Sequence, residues 1–312
     1  MAGHHTGRLF TMKTTYLLAA ALTLAAITAD AQQNARRVVQ PVTNKEWVTP
    51  FPGFKIVGNV YYVGTYDLAA YLITTNEGHI LINTGVDGSY DLMKPSIEKL
   101  GFKISDIKII TATHGHSDHV GDIARFKKES GARVYMSERD AASIESGGNI
   151  DYREPQGRGT MSYDPITVDV RTKDGDTIRL GNVELTVLAH PGHTPGATSF
   201  MFPVQDGGRT YRVGIINMNG INQGVKLLGS PGYPTIVEDF RTTLEKQARL
   251  TPDIFLSSHA AQFDLHRVYK PGDPHNPSRF GDVAVYRGKV QTATTNYQKQ
   301  LAEERAAQGQ TR

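Results

Sequence analysis

His114-Gly115-His116-Ser117-Asp118-His119 sets three imidazoles and a carboxylate within six residues. The run follows Ile107-Lys108-Ile109-Ile110, a short apolar stretch with the length and β-branched content of a buried strand. One loop histidine is ordinary surface chemistry. Three around a carboxylate crowd lone pairs and negative charge into one place, which suits a metal held by neutral imidazoles and carboxylate anions. Asp118 also stands where a helix N-cap would, so capping and metal binding are both open to it.

One loop cannot close two metal shells, and the other ligands are expected at other strand ends. His193 lies in His190-Pro191-Gly192-His193-Thr194-Pro195-Gly196, after the apolar Val183–Ala189. Glycine and proline on both sides allow tight backbone approach there. His259 follows Asp253–Ser257. His190 falls where its strand ends and reads as structural, with metal binding the alternative. His79, inside a strand, reads as packed or at an edge, and His266 and His275, in polar loops, as surface.

Working outward, strands are expected at Phe54–Val63, Ala69–Thr74, Ile80–Asn83, Arg133–Met136, Ile166–Val170, Thr177–Leu180, Thr198–Phe202 and Tyr211–Ile216. Helices are expected at Asp91–Leu100, Gly121–Ser130, Arg139–Glu145 and Thr235–Leu250, with a helix-prone tail from Tyr297. Gly147–Tyr163 reads as an irregular loop, and residues 32–50 as an extended arm. Two halves thus repeat one plan, in which a short apolar strand delivers a histidine at its carboxyl end, where α/β folds place ligands. Strand-rich stretches broken by helices predict layered sheets covered by helices.

The chain has 312 residues, 34 Lys+Arg against 31 Asp+Glu, and no cysteine. A net charge of +3 with no long basic run argues against nucleic acid as a partner. Without cysteine there are no disulfides, thiolate ligands or thiol nucleophiles, so any metal is held by His, Asp or Glu. From Met12 the chain reads as a signal peptide: Lys13, an apolar run from Tyr16 to Ala29, and Ala29-Asp30-Ala31 as the cut before Gln32. The run is too short for a comfortable span. Residues 1–31 are set aside as upstream residues and signal. Residues 32–312 are expected to form a single hydrolase domain with an arm and a tail, exported to the periplasm without a stable membrane anchor.

The order His114-x-His116-x-Asp118-His119, then Pro191-Gly192-His193-Thr194-x-Gly196, then an isolated His259, resembles the metallo-β-lactamase superfamily across residues 54–265. That resemblance implies an α/β fold, an αββα sandwich of two mixed sheets flanked by helices. It implies two Zn²⁺ ions, the first on His114, His116 and His193, the second on Asp118, His119 and His259. Superfamily members outside the β-lactamases usually carry a bridging Asp after the His193 position. Here Gly214-Ile215-Ile216-Asn217-Met218-Asn219 offers no acid, and the first two β-lactamase subclasses need a Cys that this chain lacks. The third subclass remains.

The resemblance therefore implies hydrolysis of the β-lactam ring of penicillins, cephalosporins and carbapenems by a water shared between the metals, which Asp118 orients as the catalytic carboxylate. Asn222 and Lys226 are the candidates for binding the substrate, and a monomer is expected. The alternatives are a lactonase or thioesterase on the same dinuclear scaffold, or a zinc-binding member that has lost catalysis. Two departures stand out. Asn83 replaces the usual Asp beneath the metal loops, which predicts weaker zinc binding at the second site, and Met218 stands where the subclass commonly has Ser.

Overall fold

The computed structural model describes residues 42–153, 160–218 and 220–310, with Met1, Gly3 and the backbone of Arg36–Arg37. The expected signal peptide and its cut lie outside the described residues. Strand β1 (Arg36–Arg37) runs parallel to β8 (Thr160–Met161). The larger sheet runs in order β2 (Phe54–Val57), β3 (Val60–Tyr62), β4 (Tyr71–Thr75), β5 (Gly78–Ile82), β6 (Ile107–Thr111), β7 (Arg133–Ser137) and β9 (Val170–Thr172). It is antiparallel as far as β5 and parallel beyond. The smaller sheet runs β10 (Thr177–Leu180), β11 (Val183–Ala189), β12 (Thr198–Asp206), β13 (Arg209–Ile215) and β14 (Ile254–Leu256), with β13 and β14 parallel.

Parallel neighbours need long crossovers, and helices supply them. Helix α1 (Ser89–Lys99) joins β5 to β6. The short α2 (Ser117–Val120) and α3 (Ile123–Ser130) join β6 to β7, and α4 (Glu138–Glu145) follows β7. Helix α5 (Ile236–Arg249) joins β13 to β14; α6 (Leu265–Val268) and the long α7 (Val283–Gln310) follow.

The apolar runs of the central strands follow from burial on both faces. Along β4 and β5, Tyr71, Ile73, Ile80 and Ile82 point between the sheets, against Leu185, Val187, Phe200 and Ile215. The alternate residues Leu72 and Leu81 join Met93, Ile97, Ile123 and Phe126 beneath the helices of the larger sheet. On the far side Ile236, Phe240 and Leu244 of α5 pack with Tyr297 and Leu301 of α7. The layers are helix, sheet, sheet, helix, as the resemblance implied.

Three expectations are corrected. Phe54–Val63 is a hairpin, not one strand: it turns at Gly58, whose φ is +50° and whose N–H donates to Asp206. Ile166–Val170 is irregular until Val170, because Val168 and Asp169 donate their amides to Glu145 and Val134 outside any ladder. The tail helix begins at Val283, not Tyr297. Gly288 and a run of threonines lower its propensity, but Tyr286, Val290, Tyr297 and Leu301 all bury against the sandwich. Among the described residues no helix is long and apolar enough to cross a membrane.

Tyr71, fully buried in β4, donates its hydroxyl to the Ser257 carbonyl at 2.6 Å, tying the larger sheet to the strand end that carries His259. Tyr71→Phe strands that carbonyl, and chemical denaturation should register a loss of about 1–3 kcal/mol with secondary structure retained. Unchanged stability would mean that Ser257 finds another donor.

Candidate metal centre

The three ligand-bearing segments leave the carboxyl ends of β6, β11 and β14 and meet at one edge of the sandwich. The ring of His114 lies 4.8 Å from that of His116, 4.3 Å from His119 and 4.5 Å from His193. His119 and His259 are 5.0 Å apart, and Asp118 Oδ2 lies 3.2 Å from His119 Nε2 and 3.4 Å from His259 Nε2. Two groups have ligand atoms within 4.8 Å of one another: His114, His116 and His193, and His114, Asp118 and His119. His259 reaches the second group through Asp118.

Local chemistry explains the convergence. His116, not Asp118, is the N-cap residue of α2, and no side chain caps that helix, so Asp118 is left to face the cluster. Thr84 holds the His119 carbonyl with its N–H at 2.8 Å and its hydroxyl at 3.2 Å. Thr198 N donates to Thr113 O at 2.7 Å, joining the two sheets beside His114. Gly192 has φ +138°, and a Cβ there would meet Phe240 at 2.9 Å, so the His193 loop requires glycine.

The donor set passes a direct test for a metal. Among the described residues His114 Nε2, His116 Nε2 and both ring nitrogens of His119 are buried without a hydrogen-bond partner. Asp151 Oδ2 approaches His116 Nε2 only to 3.5 Å, too long for a good hydrogen bond. Buried polar nitrogens are otherwise satisfied, so a converging set without partners fits a cation. Two tautomers are fixed from outside. His193 Nδ1 lies 2.7 Å from the Gly220 carbonyl, which only accepts, so that nitrogen carries the proton and Nε2 its lone pair. His259 Nδ1 meets Asp67 Oδ2 at 2.9 Å, which likewise turns Nε2 toward Asp118.

Charge is arranged to match. Burial, with the neighbouring imidazoles, holds His114 and His116 well below the usual histidine range, and burial lowers His193 to about 4. These rings are neutral at pH 7, as ligands must be. Burial opposes charge on Asp118, but the adjacent His119 and His259 outweigh it and keep the carboxyl well below the ordinary range. Burial also opposes charge on His259, yet its bonds to Asp118 and Asp67 push it up to about 9.

Several contributors escape sequence reasoning. Asp67 orients His259 and accepts from Trp47 Nε1 at 3.1 Å, so the arm expected to be extended folds back onto the site. Asp140 of α4 accepts from Gly115 N (2.9 Å), Thr194 Oγ1 (2.7 Å) and Gly196 N (2.7 Å), clamping the two histidine loops together. The only usable signal was that Trp47 is the single tryptophan; lone aspartates carry none.

Of the other histidines, His190 is buried on Ser199 Oγ at 2.6 Å, away from the cluster, and His79 packs edge-on against Phe102. His275 pairs with Asp206 at the surface. His266 is not a surface residue: it stacks on Tyr66 at 3.7 Å and donates to its carbonyl. Asn222 donates to the His193 carbonyl (2.9 Å) and to Tyr152 Oη (2.7 Å), bracing the His193 loop. Lys226 is exposed, and its charge acts on Glu304 of α7. Met218 is buried and lines a cavity of about 340 Å³ with Ile221, Gln262 and Ala293.

The comparisons agree with this geometry. A family model described as the metallo-β-lactamase superfamily matches residues 68–259. A β-lactamase of Chitinophaga pinensis is 43% identical over 85% of this chain and 100% of its own, with a TM-score of 0.82. A metallo-β-lactamase of Elizabethkingia meningoseptica is 42% identical over 86% of this chain and 99% of its own, also at 0.82. A class B3 di-zinc metallo-β-lactamase from an Alaskan soil metagenome gives 43%, 85%, 100% and 0.82. A hydroxyacylglutathione hydrolase of Rhodopseudomonas palustris is 31% identical over 42% of this chain and 44% of its own length. The chain spans less than half the length of the curated relatives it matches best.

The expectation that Asn83 weakens zinc binding is overturned by its bonds. Its Oδ1 accepts from Thr113 N (2.9 Å) and Oγ1 (3.2 Å), and its Nδ2 donates to Ala69 O (3.0 Å); no ligand imidazole is among these partners. Its φ of +65° suits asparagine. Asn83→Asp replaces a donor with an acceptor facing the Ala69 carbonyl, so thermal unfolding should show a cost of about 1–3 kcal/mol. Zinc titration should show no gain, and tighter zinc binding in the variant would reinstate the electrostatic role.

Proposed function

The chain belongs to the metallo-β-lactamase superfamily, and from that premise we propose that it is a B3-type zinc-dependent hydrolase that opens the β-lactam ring. The observation that carries this reading is the pair of buried histidine clusters at the sandwich edge, whose inward nitrogens lack other partners. Its support from outside is the 42–43% identity to metallo-β-lactamases along their whole length. His114, His116 and His193 would hold one zinc, and Asp118, His119 and His259 the second. Export to the periplasm and action as a monomer belong to the same proposal.

Zinc in such sites supplies a Lewis acid for the scissile carbonyl and a water acidified from about 15.7 to about 7. The chain's own residues do the rest. Asp118, ionised and aimed into the cluster, accepts a hydrogen bond from the attacking water and turns its lone pair toward the carbonyl carbon. The Gly220 carbonyl and Asp67 hold the protons of His193 and His259 outward, keeping Nε2 of each free to coordinate. The thioesterase reading lacks its acid. At the end of β13, Asn217 turns its amide into the floor, where its Oδ1 lies 3.1 Å from Ser258 Oγ.

The purified mature protein should carry close to two zinc ions, lose activity to a chelator, and hydrolyse a β-lactam far faster than a thioester or a lactone. Asp118→Ala should lower turnover by about 10²-fold or more, the scale of lost transition-state electrostatics, with the fold intact by circular dichroism. Full activity without bound zinc, or thioester turnover exceeding β-lactam turnover, would overturn the assignment.

A further inference from the structure

Neither Asn222, whose amide braces the His193 loop, nor Lys226, which faces Glu304, presents a charge to the cluster. Arg153 does. It follows α4 in the segment that walls the His116 side of the site. Asp151 fixes it through Nε to Oδ1 at 2.7 Å and Nη2 to Oδ2 at 3.2 Å. The same Asp151 carboxylate sits 3.5 Å from His116 Nε2. Arg153, Asp151, His116, Ser117 and Gln223 share a polar cavity of about 440 Å³.

Three features make this guanidinium a recognition group instead of a mere partner for Asp151. The pair uses the edge formed by Nε and Nη2, and among the described residues Nη1 donates no hydrogen bond. The edge from Nη1 to Nη2 is a second fork with the spacing of a carboxylate, held rigid by the first. The side chain is 38% exposed while Asp151 is 9% exposed, so the anion is the buried anchor and the cation its accessible end. The charge also reaches the site: it disfavours protonation of both His116 and His193, and Asp118 acts back on it. The opposite end, around His259, is lined instead by the carboxylates of Asp67 and Asp118.

We propose that Arg153 is a substrate-binding residue whose free guanidinium edge takes a carboxylate of the substrate in the cavity beside His116. This rests on the β-lactam reading and adds to it an orientation. The acidic group lies at the His116 end, and a substrate lacking it loses its anchor.

The test compares wild type with Arg153→Ala and Arg153→Lys, each checked for zinc content and folding. Two substrates are used, a chromogenic β-lactam carrying its carboxylate and the matching carboxamide. For the acid, Arg153→Ala should raise KM about tenfold or more, as expected for hydrogen bonds to a charged group, with kcat moving less. Arg153→Lys should recover part of the loss. KM for the carboxamide should be unaffected by either change, which a purely structural role would not produce. Direct titration of the zinc-loaded proteins with ring-opened benzylpenicillin should show weaker binding by Arg153→Ala. Equal KM values and equal affinities in wild type and Arg153→Ala would overturn the proposal. If the wild type turns over no β-lactam, the reading of the reaction fails separately, and the titration alone decides Arg153.

Discussion

One buried carboxylate sets the distance between the two histidine loops. Asp140 takes the N–H of Gly115, between His114 and His116, together with the N–H of Gly196 and the hydroxyl of Thr194 beside His193. The first loop belongs to the larger sheet and the second to the smaller one, so this side chain spans the sandwich at the site. Its partners are all neutral, and burial, the largest influence, raises its pKa despite three hydrogen bonds. The arrangement therefore costs desolvation and returns position. It also dictates sequence, since a Cβ on Gly196 would fall 2.6 Å from the Asp140 carboxyl carbon and backbone nitrogen. The glycines around His193 follow from that close approach.

Beneath the loops lies a floor of neutral polar groups. Asn83 holds Thr113, Thr113 Oγ1 lies 3.0 Å from Ser258 Oγ, and Ser258 reaches Asn217. Each is buried and satisfied, which confines the unsatisfied nitrogens to the histidine rings. A buried polar atom without a partner costs about 1–3 kcal/mol, so the protein has concentrated that cost where a cation repays it. Without a cation, Asp118 and Asp67 hold a proton on His259 instead, and metal uptake at that end must displace it.

What was legible in the chain follows from periodicity and local crowding. His114 to His119 announced itself because six consecutive residues carried the chemistry. The central strands were found because Tyr71 to Ile73 and Ile80 to Ile82 are apolar on both faces. Asp67, Asp140 and Arg153 were invisible for one shared reason: each acts on a residue far along the chain, as Asp67 does on His259, or stands in a segment with no periodic pattern. Helix α7 was half missed because its buried residues are separated by glycine and threonine, which mask a pattern that only packing against α5 reveals. Asn83 misled in the other direction. A departure from a superfamily habit suggested lost function, whereas the backbone at φ +65° and three local bonds account for it.

The neutrality of the floor has an electrostatic consequence. With Asn83 and Asn217 where other members place acids, Asp118 is the carboxylate that faces the cluster directly. Two divalent ions on the proposed ligands would bring four positive charges against that one. Asp67 and Asp151 stand one step outside, each already shared with a cationic partner: the raised His259 and Arg153. A centre so weakly compensated holds a strong positive field, which acidifies a bound water and draws anions. Such a field attracts any anion without choosing its orientation. Orientation needs a directional group, and the second edge of the Arg153 guanidinium, fixed by Asp151 beside His116, supplies one.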